Sequence, residues 1–253
     1  MSELKNPNSA AQVSPQPPRT WDFMETTFVA LIAYAVFALA SGLTLSALLA
    51  MQDGTSTMTA PQLHILWEQG HWFGAALIVA CPLTVAVLWI AIRMAHREFA
   101  DYLALNWPTA GEFVRALAVM AVLLLVEMVS MAVFGGQGAS LEPYLSARKA
   151  GGLLVYLVGA CIAAPVMEEL VVRGFMFRGW SQSFLGPVGA FVLTSTLWAM
   201  IHVQYDWSGR FWIFVTGLML CHLRWRSNST WLPVMVHSAI NIVIHVMMGL
   251  LYA

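Results

Sequence analysis

Long uninterrupted apolar runs, rather than any alternation of apolar and polar positions, dominate this chain. Residues 26–52, 69–92, 150–167, 179–205 and 227–253 contain no Asp, Glu, Lys or Arg. A helix needs about 20 mostly apolar residues to cross a bilayer, and these runs approach or exceed that length. Two weaker segments complete a set of seven: 113–134, interrupted by Arg115 and Glu127, and 211–223, between Arg210 and Arg224. An eighth arises if Pro165 divides the stretch 151–180, because proline removes a helical hydrogen bond and crowds the preceding turn. Barrel strands would alternate over about 10 residues, which these runs do not. Helices satisfy their own backbone in lipid. The pattern therefore predicts an all-α, polytopic transmembrane bundle of seven or eight helices.

Composition sharpens that reading. Of 253 residues, 59% are hydrophobic and 10% charged, against about 25% charged in an ordinary soluble domain. A soluble surface needs more charge than this, and a disordered chain would be poor in apolar residues. Mean hydropathy is +0.72. Net charge is −1, so no basic footprint points to nucleic acid, and the expected surroundings are the lipid bilayer. Cys81, Cys161 and Cys221 lie in apolar stretches without CxxC spacing. They read as free buried thiols.

Charge also orients the spans. With seven, one side carries Lys5, Arg19, Arg93, Arg97, Arg115, Arg178, Arg224 and Arg226, and the other only Arg148, Lys149 and Arg210. The N-terminus is thus expected in the cytoplasm and the C-terminus outside; an eighth span would bring the C-terminus inside. Residues 1–20, rich in Pro, Ser, Asn and Gln, read as a flexible cytoplasmic tail. Residues 21–253 read as a single membrane domain. Its first span is a signal anchor, too long and too late for a cleaved signal peptide. Residues 96–112 look like an interfacial segment ending at Pro108. Trp21, Trp107, Trp225 and Trp231, near span ends, are expected to anchor the interface. Compact loops and high alanine content fit a bacterial cytoplasmic membrane.

Ionisable groups inside a span cost several kcal/mol, so each is a functional suspect. Glu168, Glu169 and Arg173 follow one apolar run; His202 closes another; His237, Asn241 and His245 lie in the last. Glu169 and Arg173 stand at i and i+4 with the acid first, the favourable order for an ion pair. Glu168 points about 100° away from its neighbour and lacks that close partner. It is left to face a cavity as a candidate general base. His237, Asn241 and His245 form one polar stripe at i, i+4, i+8. Hydrogen bonds from His237 and Asn241 would suit an oxyanion. Trp198, one turn before His202, could wall one side of that imidazole.

Each residue has a structural alternative. An acidic pair at a span end is commonly solvated, and His202, His237 and Asn241 could simply join helices. Glu127 reads as a structural hydrogen-bonding residue, His222 as a headgroup-facing one, and His245 as accessory or packing. Their joint occurrence favours function.

The series EELVVR (168–173), WAMIH (198–202) and HSAIN (237–241) resembles the CPBP family, which includes type II CAAX prenyl endopeptidases and bacterial immunity-type relatives. That family's pattern is E-E-x-x-x-R, F-x-x-x-H, H-x-x-x-N on separate membrane helices. The resemblance covers about 150–245, and Trp198 stands where the family prefers Phe. It implies that Glu168 and His202 activate water, that His237 and Asn241 stabilise the oxyanion, and that Glu169 and Arg173 support them. Metal dependence has also been described for the family. Glu168, His202 and His237 would be the three ligands of a divalent ion such as Zn²⁺, but a metal-free mechanism with no required cofactor is favoured.

The expected function is therefore an intramembrane endopeptidase. Its substrate would be a peptide or membrane protein, with the need for prenylation open. A non-catalytic membrane immunity or regulatory interaction protein is the alternative. A proton-linked transporter ranks last, since no inverted repeat is visible.

Overall fold

The computed structural model describes residues 21–53, 68–136 and 140–251, and among them every regular element is a helix. In chain order these are α1 (Phe23–Asp53), α2 (Gly70–Met94), α3 (Phe99–Tyr102), α4 (Ala110–Phe134), α5 (Glu142–Lys149), α6 (Leu153–Ser181), α7 (Gly186–Ile201), α8 (Trp207–Ser227) and α9 (Trp231–Leu251). The protein is an all-α membrane bundle. Its seven long helices match the seven expected apolar segments, and the tail at 1–20 lies outside the described residues. Helices α1, α2, α4 and α6 are each long and apolar enough to cross a bilayer. Helices α7 and α9 are apolar but shorter, and α8 carries Arg210, Arg224 and Arg226.

Pro165 does not divide α6, so the eighth span does not arise. The chain widens into π-helical geometry over Gly159–Ala163, one turn before the ring, and again over Leu170–Met176. A wide turn relieves the clash between a proline ring and the preceding carbonyls, so the helix continues. Glu168 and Glu169 sit in the α-helical piece between these two π segments.

Helix α2 crosses α6 in backbone contact. A Cβ at Gly74 would lie 2.5 Å from the Val155 carbonyl oxygen, and one at Gly159 would lie 2.5 Å from the Gly74 Cα. Two facing glycines permit this close approach, the usual device of membrane helix pairs. Short helix α5 caps the same end, where the Ser146 hydroxyl accepts from the Gly70 N–H.

The opposite end is tied by polar contacts. The Thr230 hydroxyl donates to the Leu103 carbonyl and Arg178 to the carbonyl of Tyr102. Asn106 donates to the Asn228 carbonyl. Trp107 and Trp231 stack there at 5.4 Å and 11°. Helix α4 begins at a capping box between Thr109 and Glu112, which satisfies its first orphan N–H groups. The apolar core nearest the site joins α4, α6, α7, α8 and α9 through Met120, Val172, Trp198, Leu220 and Val236.

Candidate functional site

The expected Glu169–Arg173 pair forms within α6, at 2.9 Å, with both side chains fully buried. Two charges taken out of water must satisfy each other closely. Helix α8 makes room for the guanidinium at Gly217, where a Cβ would lie 3.2 Å from Arg173 Nη2. The guanidinium carbon lies 4.3 Å from the Trp198 ring centroid, over its face.

Glu169 does more than pair with arginine. The same Oε1 accepts from His237 Nδ1 at 2.9 Å, across from α9. A carboxylate can only accept there, so Nδ1 carries the hydrogen and Nε2 is left for other chemistry. His202 follows the same logic at the end of α7. Its Nδ1 lies 2.6 Å from the Trp198 carbonyl oxygen, which fixes the hydrogen on Nδ1 and leaves Nε2 available.

Glu168, expected to lack a close partner, has one. The Trp198 indole N–H donates to Glu168 Oε2 at 2.7 Å. The half-buried carboxylate is thus held by a neutral donor rather than by a cation. Trp198 is also edge-on to both imidazoles, 5.0 Å from His202 and 5.4 Å from His237 between ring centroids. One indole therefore touches Glu168, Arg173, His202 and His237.

Asn241 lies one turn beyond His237 on α9. Its amide donates to the Ala160 carbonyl at 2.9 Å, inside the first π segment of α6. One amide hydrogen joins two helices and a second remains. His245 completes the stripe. Its Nδ1 donates to the Asn241 carbonyl and its Nε2 accepts from the Tyr156 hydroxyl at 2.8 Å. That makes it a brace beside the cluster.

Two tyrosines belong to this neighbourhood that no sequence motif singled out. Tyr156 lies on α6. Tyr205 is in the loop between α7 and α8, with its ring 6.1 Å from that of His202. Burial first, and then the carboxylates of Glu127 and Glu168, push the Tyr205 hydroxyl up to about 12. It therefore stays a protonated hydrogen-bond donor. Glu127, read from sequence as structural, is close enough to act electrostatically on the same hydroxyl. Only the spatial return of the 202–206 loop onto α4 and α6 could have revealed this.

Among the described residues no three His, Cys, Asp or Glu side chains cluster in a way that could hold a metal ion. Trp198 lies edge-on to both imidazoles and donates to one oxygen of Glu168. Cys161 and Cys221 are buried and Cys81 half-buried, all as free thiols. His222 is exposed.

The bundle and its centre define a multi-pass membrane protein with a carboxylate–imidazole cluster inside it. Residues 150–243 match the family model described as type II CAAX prenyl endopeptidase Rce1-like. That match spans all three motifs and supports assignment of the chain to the CPBP family. At family level it supports a CAAX-protease-like intramembrane endopeptidase, which implies a protein substrate in the membrane. No curated protein and no solved structure matches the chain.

Proposed function

We propose that the protein hydrolyses a peptide bond within or beside the bilayer, using water activated by Glu168 and held by His202. The observation that carries this reading is the sharing of Glu169 Oε1 between Arg173 and His237. That sharing leaves Glu168 outside the ion pair.

His202 Nε2 accepts one hydrogen of the water, and Glu168 removes a proton as the oxygen attacks the peptide carbonyl. The carbonyl electron pair moves to its oxygen. His237, protonated and anchored through Nδ1, donates from Nε2 to that oxyanion, and the second Asn241 amide hydrogen joins it. When the C–N bond breaks, Glu168 returns its proton to the leaving amine. No metal enters any step. In the family the substrate is a prenylated C-terminal motif. Here the substrate class is a membrane-inserted peptide or protein, with prenylation decided by assay. The arginine-rich end, with Arg93, Arg97, Arg178, Arg224 and Arg226, is read as cytoplasmic, in a bacterial inner membrane with the N-terminus inside.

The Asn241–Ala160 bond favours the second reading, a non-catalytic interaction protein in which the same residues brace helices. Glu168→Gln separates the two. Purified in vesicles, it should keep its helical content and thermal transition. Its cleavage of a quenched peptide ending in a prenylated CAAX motif, or of the unprenylated counterpart, should fall by about 10²–10⁴-fold. Proteome-wide neo-termini should vanish in cells carrying the variant. Unchanged cellular function without any neo-terminus in wild type or variant would establish the non-catalytic reading, and unchanged cleavage would remove Glu168 from the mechanism.

A further inference from the structure

The family pattern has Phe at the position of Trp198, and phenylalanine can wall a pocket but cannot donate a hydrogen bond. Here the indole N–H reaches Glu168 Oε2 at 2.7 Å. We infer that Trp198 is a positioning residue for the water-activating carboxylate, aiming Glu168 through an indole hydrogen bond. The inference rests on the peptidase reading and adds to it a residue whose N–H, and not only its bulk, holds the carboxylate.

The geometry leaves the indole little freedom. It is 4% exposed. The Arg173 guanidinium lies over its face, and both imidazoles meet it at near-right angles, 76° to His202 and 82° to His237. A ring clamped on its face and flanked by two imidazoles cannot swing its N–H away from Glu168. The carboxylate is fixed by its Oε2, which leaves Oε1 as the oxygen to meet water. The Trp198 carbonyl meanwhile orders His202. One residue thus positions both groups that handle the water, by its side chain and by its backbone.

The test must separate the N–H from the ring's bulk. Trp198→benzothienylalanine, introduced by codon suppression, keeps the shape and replaces the N–H with sulfur. Trp198→Phe restores the family's residue. Both are assayed in vesicles with the quenched prenylated CAAX peptide and its unprenylated counterpart across pH 4–9, beside wild type and Glu168→Gln. In both variants kcat should fall by about tenfold or more, the loss expected for one hydrogen bond to a charged group, while KM changes little. A purely steric role would leave kcat of the benzothienylalanine variant at the wild-type value. That outcome overturns the inference while an inactive Glu168→Gln keeps the peptidase reading intact. If Glu168→Gln cleaves normally, or if wild type cleaves neither peptide, both fall together.

Discussion

Glu169 Oε1 lies 2.9 Å from both Arg173 Nη1 and His237 Nδ1, so one buried oxygen ties α6 to itself and to α9. Its neighbour Glu168 is excluded from that knot and held instead by Trp198. Adjacent carboxylates in one helical turn thereby take different duties. One meets the buried Arg173 and His237, and the other is free of that pair for the proposed chemistry.

The two acids should separate stability from activity. Glu169→Gln leaves the fully buried Arg173 without its counter-charge. Breaking a buried pair this way costs about 3–5 kcal/mol. The expected result is a lowered thermal transition or loss of the folded protein, measured in detergent. Glu168→Gln should lower stability by less than about 1 kcal/mol, since a neutral amide still accepts the Trp198 N–H.

Asn241→Ala removes the proposed oxyanion donor and a helix-joining bond together. The rate should fall by about 10²–10³-fold, while stability falls by only about 1 kcal/mol. Steady-state kinetics with the quenched peptide, set beside thermal melts, would check it. A rate loss no larger than the stability loss explains would leave Asn241 a brace.

Chelation should not affect the reaction. Cleavage measured after dialysis against EDTA and 1,10-phenanthroline should match the untreated rate, because among the described residues no three His, Cys, Asp or Glu side chains converge on one point. Loss of activity restored by Zn²⁺ would show that Glu168, His202 and His237 rearrange into a ligand set.

Gly74→Val should open the α2–α6 crossing. A Cβ there lies 2.5 Å from the Val155 carbonyl oxygen and 2.6 Å from the Tyr156 Cα, both backbone. Backbone cannot swing aside, so the helices must part, at a cost of about 1–3 kcal/mol or more. The readout is a reduced melting temperature, with Gly42→Val as a control because nothing lies within 4 Å of a Cβ there.

Tyr205 should report on alkaline pH. Its folded-state value is raised from an ordinary 10.0 to about 12, so folding favours the protonated hydroxyl. The stabilisation is complete below pH 10 and is lost as pH rises from 10 through 12. Melting temperatures taken from pH 9 to 12 should fall less steeply for Tyr205→Phe than for wild type.

Much of this protein is legible in its sequence. The apolar runs foretell each long helix, because a segment without charge has few other stable states in lipid. The i,i+4 spacing foretells the Glu169–Arg173 pair, because both ends lie on one rigid rod. The continuity of α6 through Pro165 is not legible, since it depends on π turns that leave no mark in the apolar pattern. The short helix α5 was also missed, because its eight residues carry no span signal.

The chain alone determined that a few acids, imidazoles and one amide would be stranded in an apolar bundle, and on which helices. Only the tertiary structure decided their partners. Trp198 meets Glu168 across 30 residues, His237 meets Glu169 across 68, and Asn241 meets Ala160 across 81. Helical periodicity orders side chains within one rod and carries no information about the neighbouring rod's rotation or depth. Those are set when small residues such as Gly74, Gly159 and Gly217 let the helices close together.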